Sequence, residues 1–209
     1  MKILLRILAV ICITSNICQS QTKKDIYLDE QGNYISKAQF NNKLNYRQNL
    51  DLYFETDSTF ISKLISRKSR GKLSSGDFAN LKQQLSPDKL SNNEMIVIVY
   101  FPGKDTCNGM ERVSTWNVFD PDYLRKLEKI TPLDHFWIYK KYDQLDYYHP
   151  DKVKWQPDPG HLVEALFFQY HYNCSSLAVI DPAGNFTTYF GEFGKETVWD
   201  ITVEMKKNL

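Results

Sequence analysis

Cys107 and Cys174 are the residues of this chain best placed for covalent chemistry. A thiolate is an intrinsically strong nucleophile, and two thiols can join as a disulfide. Cys107 follows the turn Pro102-Gly103-Lys104-Asp105-Thr106 and opens a stretch whose spacing predicts a helix through Met110, Val113 and Trp116. At a helix N-terminus, free N–H groups and the helix dipole stabilise a thiolate and lower its pKa. Cys107 is then a candidate nucleophile and Cys174 a candidate resolving partner. The alternative is a structural bridge, and a lone reactive Cys107 ranks behind both. Exported proteins with two cysteines most often pair them, so the bridge is the first reading and cycling the second.

Acid–base candidates are few. The loop Tyr142–Gly160 is long, aromatic and stiffened by Pro150, Pro157 and Pro159, features that suit a binding loop as well as packing over a sheet edge. Tyr147, Tyr148, His149 and Trp155 are its candidate binding rim, and His149 is the best-placed acid or base. His135, His161 and His171 read as surface or satisfied core residues. No His-x-x-x-His or paired Cys/His spacing supports a metal, and Gly103, Gly191 and Gly194 lack phosphate-loop spacing. No cofactor is expected. Asp29-Glu30-Gln31-Gly32-Asn33 reads as a turn. Setting Gly32 at the glycine of a calcium loop would put Tyr27 and Ala38 at its first and last ligand positions.

The chain has 209 residues, with 26 Lys+Arg against 25 Asp+Glu. That balance argues against a nucleic-acid partner and leaves an unidentified protein or peptide partner as the expectation. Residues 1–20 read as a signal peptide: Lys2 and Arg6, an apolar run from Ile7 to Ile13, then a more polar end at Ser20. The run is too short to span a membrane. Lipid attachment at Cys18 is the weaker reading, because Ile17 stands where a small residue is usual. The mature chain is expected to be periplasmic or extracellular, without a transmembrane segment. It would carry 24 Lys+Arg against 25 Asp+Glu and only Cys107 and Cys174. Asn173-Cys174-Ser175 and Asn185-Phe186-Thr187 fit the glycosylation pattern, which matters only in a eukaryotic secretory route.

Residues 21–93 read as a helix-rich extension. Ile26–Leu28 and Tyr34-Ile35 form a strand–turn–strand, Ser36 and Gln39 a capping box, and Leu52–Phe54 another short strand. Phe60, Leu64 and Ile65 are assigned to one helical stripe, and Phe78, Leu81 and Leu85 to another. The cations Lys63, Arg67, Lys68, Arg70 and Lys72 read as a solvated helix face, or as a surface for an acidic partner. From residue 94 the pattern is α/β. Met95–Phe101 is a doubly buried strand, followed by helices, a strand at Phe136–Tyr139, a helix from His161 to Tyr172, strands at Leu177–Ile180 and Phe186–Phe190, and a last helix through Val198, Ile201 and Met205.

The strand before Cys107, the cysteine at the next helix start, and the closing Ala178–Asn185 with Phe190-Gly191 resemble the thioredoxin-like superfamily over residues 94–209. The resemblance implies a three-layer sandwich around a mixed four-stranded sheet. Two departures stand out. Cys107-Asn108-Gly109-Met110 replaces the dithiol Cys-x-x-Cys, and a thioether cannot resolve a mixed disulfide. Cys174-Ser175-Ser176 stands where the family keeps a cis-proline. The implied topology puts Cys107 and Cys174 at one sheet edge, where a disulfide needs Cα atoms roughly 4.4–6.8 Å apart. Closing that 67-residue step would contribute about 4 kcal/mol. The expected function is a non-catalytic binding module stapled by Cys107–Cys174, with a non-standard thiol–disulfide oxidoreductase as the alternative.

Overall fold

The structure, a computed structural model, describes residues 23–86, 94–105, 115–142, 145 and 153–209. The expected signal peptide, the helix opening at Cys107, and Tyr147, Tyr148 and His149 lie outside the described residues.

The N-terminal part starts with β1 (Lys24–Leu28) and β2 (Tyr34–Ile35), joined by a turn on Asp29. Its carboxylate accepts the Gln31 and Asn33 N–H groups at 3.1 and 2.8 Å, while Gly32 takes a positive φ of 86°. This is a turn, as its sequence predicts. Helix α1 (Lys37–Lys43) begins with the expected capping box of Ser36 and Gln39. β3 (Asn49–Glu55) and β4 (Thr59–Ser66) complete a four-stranded sheet of order β2-β1-β4-β3, in which β1 and β4 are parallel. β5 (Lys68–Lys72) and α2 (Ser75–Leu85) come next along the chain.

The helix-rich expectation for residues 21–93 is therefore overturned: among the described residues of this stretch, five strands stand beside two helices. Phe60, Leu64 and Ile65 lie on β4, where seven residue pairs with β3 override a spacing that also fits a helix. The basic stretch is likewise no helix face. Lys68 and Arg70 pair with Glu204, the Arg67 guanidinium lies 4.8 Å from the Tyr189 ring centre, and Lys63 lies over the Tyr170 ring.

The larger sheet is built on β6 (Met95–Phe101), every residue of which is buried. Its side chains alternate between two cores, as a strand covered on both faces requires. Ile96, Ile98 and Tyr100 face one core; Met95, Val97 and Val99 face the other. A 3₁₀ turn (Asn117–Phe119), α3 (Tyr123–Ile130), β7 (Leu133–Tyr139), β8 (Trp155–Pro157), α4 (Leu162–Phe167), β9 (Ser176–Ile180), β10 (Asn185–Phe190) and α5 (Lys195–Lys207) complete the chain. The strand order is β5-β10-β9-β6-β7-β8. β6 and β7 are parallel, and β9 runs antiparallel to both β6 and β10, as expected.

The four expected strands are adjacent, but the sheet has six. β5 joins one edge and the short β8 the other, neither of which the residue pattern announced. Helices α3 and α5 cover one face with Tyr123, Leu127, Val198 and Ile201. On the other face, α2 and α4 share a core with Leu50, Leu52, Phe54 and Ile65 of the smaller sheet. Residues on both sides of position 93 thus bury one another. The assignment is a mixed α/β chain with two mixed sheets and, among the described residues, five helices.

Candidate functional site

Beyond the C-terminal end of β6, Pro102 and Gly103 turn the chain toward Asp105. Gly103 has φ 125°, and a Cβ there would come within 3.3 Å of the Lys141 Cβ, so the turn suits glycine. The Asp105 side chain is only 11% exposed and serves two partners 66 and 69 residues away. One carboxylate oxygen lies 2.7 Å from Nε2 of His171; the other accepts the backbone N–H of Cys174 at 2.8 Å.

Cys174 needs that support, because its φ of 74° lies in the left-handed region that side chains rarely adopt. The loop carrying His171 and Cys174 is clamped by the rings on either side of the histidine. Tyr172 stacks on Phe190 with centroids 4.1 Å apart and planes 10° apart, and burial pushes its phenol pKa up. Tyr170 packs 5.5 Å from Phe54 and accepts a hydrogen bond from Lys63 at 3.4 Å, so the smaller sheet braces this loop. With both tyrosines held, the His171 side chain stays 50% exposed and is oriented by Asp105.

This is a carboxylate–imidazole pair at the sheet edge beside a half-buried cysteine. Such a pair can orient a proton donor or acceptor toward solvent. Trp155, the one candidate rim residue described, lies on β8 opposite Trp137, their rings 5.3 Å apart, and packs 6.1 Å from Phe101. Asp105 and His171 escaped the sequence reading. The usable signal was Asp105 two positions before Cys107, together with the Tyr170-His171-Tyr172 alternation.

Replacing Asp105 with alanine is expected to destabilise the protein by about 2 kcal/mol, since a part-buried backbone N–H loses its charged acceptor. Asparagine, which keeps one carbonyl oxygen, should recover most of that loss. Urea midpoints of the two variants check this; equal losses would show that charge alone matters.

Among the described residues, no helix is long and apolar enough to cross a membrane. Comparison with protein families, with curated proteins and with solved structures finds no match to this chain.

Proposed function

We propose that this is an exported protein of thioredoxin-like build that binds a protein or peptide partner beyond the C-terminal end of β6 without dithiol catalysis, with Cys107 and Cys174 joined as a staple. The carrying observation is the 2.8 Å hydrogen bond from the Cys174 N–H to Asp105, a residue only two positions before Cys107. Two residues reach at most about 7 Å, so the bond holds the segment leading to Cys107 beside Cys174. The thioredoxin-like reading draws on the order β10-β9-β6-β7 with parallel β6 and β7. Export rests on Lys2, Arg6 and the apolar run between them and Thr14.

His171 favours a second reading. There the Cys107 thiolate attacks a substrate disulfide and forms a mixed disulfide, one substrate sulfur leaving as thiolate. The Cys174 thiolate then attacks the Cys107 sulfur, releasing reduced substrate and leaving the protein oxidised. His171 would supply or take the proton.

The reduction potential of the mature protein separates the two. A staple should equilibrate below about −300 mV, whereas a more oxidising value marks a labile or catalytic bond. The staple reading also expects no disulfide reduction with insulin as substrate, and a lower melting temperature for Cys107→Ser. Turnover with insulin, abolished by Cys107→Ser at unchanged melting temperature, would replace it with the enzyme reading.

A further inference from the structure

A second polar cluster sits where β8 leads into α4, and the residue spacing gave no sign of it. Asp158, His161 and Glu164 each offer one ligand atom, and the three atoms lie within 4.8 Å of one another. His161 Nδ1 stands 3.4 Å from Glu164 Oε2. That is about the separation of two ligand atoms bound at roughly 2.05 Å around a tetrahedral zinc ion. Around one such ion each pair of ligand atoms stands about 3.4 Å apart, so the widest pair closes by up to roughly 1.4 Å, within the reach of side-chain rotation.

Both carboxylates are already oriented from behind. Asp158 accepts the N–H groups of Val163 and Glu164 at 2.8 and 2.9 Å, one on each oxygen. A carboxylate oxygen has two lone pairs, so both oxygens keep one for a cation. Glu164 gives Oε1 to Lys140 and leaves Oε2 facing His161. Such outer partners fix ligand geometry in metal sites.

The independent observation is Tyr100. It is 3% exposed, and its hydroxyl is sealed from solvent without a hydrogen-bond partner. Its ring stacks on Phe168, one helical turn beyond Glu164, with centroids 4.6 Å apart. Burial raises the pKa of this phenol, and the charges of Glu164 and Asp158 add to the rise. An unpaired buried hydroxyl is costly, and native interiors rarely leave one. Three protein ligands on a zinc-class ion leave a fourth position for an oxygen, which would accept from this phenol.

We propose that Asp158, His161 and Glu164 form a binding site for a divalent cation of the zinc class, with the Tyr100 hydroxyl supporting a ligand in the fourth position. One imidazole with two carboxylates suits a borderline ion better than calcium or magnesium, which take oxygen-only shells.

The test uses the full mature protein, oxidised, tag-free and chelator-stripped, dialysed against Zn²⁺ and assayed for bound metal. One equivalent should bind at micromolar free Zn²⁺ and raise the melting temperature. His161→Gln, at a side chain 69% exposed, should keep the fold and weaken uptake at least tenfold. Glu164→Gln should do the same, whereas His171→Ala at the other histidine site should leave uptake unchanged. No stoichiometric uptake, or less than a tenfold loss in His161→Gln, overturns the proposal. It fails equally if His171→Ala alone removes the metal.

Discussion

Between pH 7.5 and pH 5 the protein is expected to lose about 2 kcal/mol of stability through His135, a loss that the His135→Phe variant should not share. The imidazole Nε2 lies 2.8 Å from the Tyr123 hydroxyl, while Nδ1 is sealed without a partner. Trp137 and Tyr123 enclose the ring at 4.7 and 5.4 Å. Burial pushes the His135 pKa down from 6.5 to about 3. A depressed folded pKa means the unfolded chain binds the proton first. The contribution is therefore complete above about pH 6.5 and erodes as pH falls through the window to about 3.

The full effect below that window is about 4–5 kcal/mol, a third or more of a typical folding free energy. Asp134 works in the opposite sense, because burial and Glu94 raise its pKa. The wild-type curve must therefore be compared with His135→Phe rather than read alone. Denaturant unfolding across the pH range checks this, and parallel curves would show that the imidazole protonates freely in the folded state.

The second large effect falls on Arg67, the single residue between β4 and β5 and so the link between the two sheets. Its Nε and Nη1 donate to the carbonyls of Phe190 and Tyr46 at 3.1 and 2.7 Å, and Nη2 donates to that of Glu192. Its own backbone N–H and carbonyl bond to Gln48 and Phe190 at 2.9 and 2.8 Å. One planar fork thus serves three carbonyls from both ends of the chain while lying against Tyr189. Arg67→Ala is expected to cost about 3 kcal/mol, since charge-assisted bonds are lost and their acceptors stranded. Arg67→Lys, with charge but no fork, should recover less than half. Urea midpoints decide it; a loss below about 1 kcal/mol would mean that the backbone bonds alone hold the link.

The C-terminal half was legible because its signals are local. Met95–Phe101 is apolar throughout, which only a doubly covered strand tolerates, and Asp181-Pro182-Ala183-Gly184-Asn185 states its turn in full. There Asp181 accepts the Ala183 and Asn185 N–H groups at 2.8 and 2.9 Å and Gly184 has φ 81°. β1, β2 and the middle of β3 were legible as short strands, whereas β4 and β5 were not, because their polar residues find partners only in the folded chain. Lys68 and Arg70 look like solvated cations until α5 brings Glu204 to them. The same holds at the site: Cys174 was found by its chemistry, whereas the Asp105–His171 pair exists only because the topology sets the end of β6 beside the loop before β9. Asp158, His161 and Glu164 were hidden by Pro159 and Gly160, which break the helical spacing that would have aligned them.

The antiparallel ladder between β5 and β10 pairs Lys68–Lys72 with Asn185–Tyr189. A fragment cut at residue 94, however domain-like its sequence, would lose that ladder and leave β10 as a naked border of unpaired amides and carbonyls. Such a border templates intermolecular pairing. The basic segment at 68–72 therefore covers the β10 border from within the chain, and the C-terminal half taken alone is expected to self-associate where the whole chain does not.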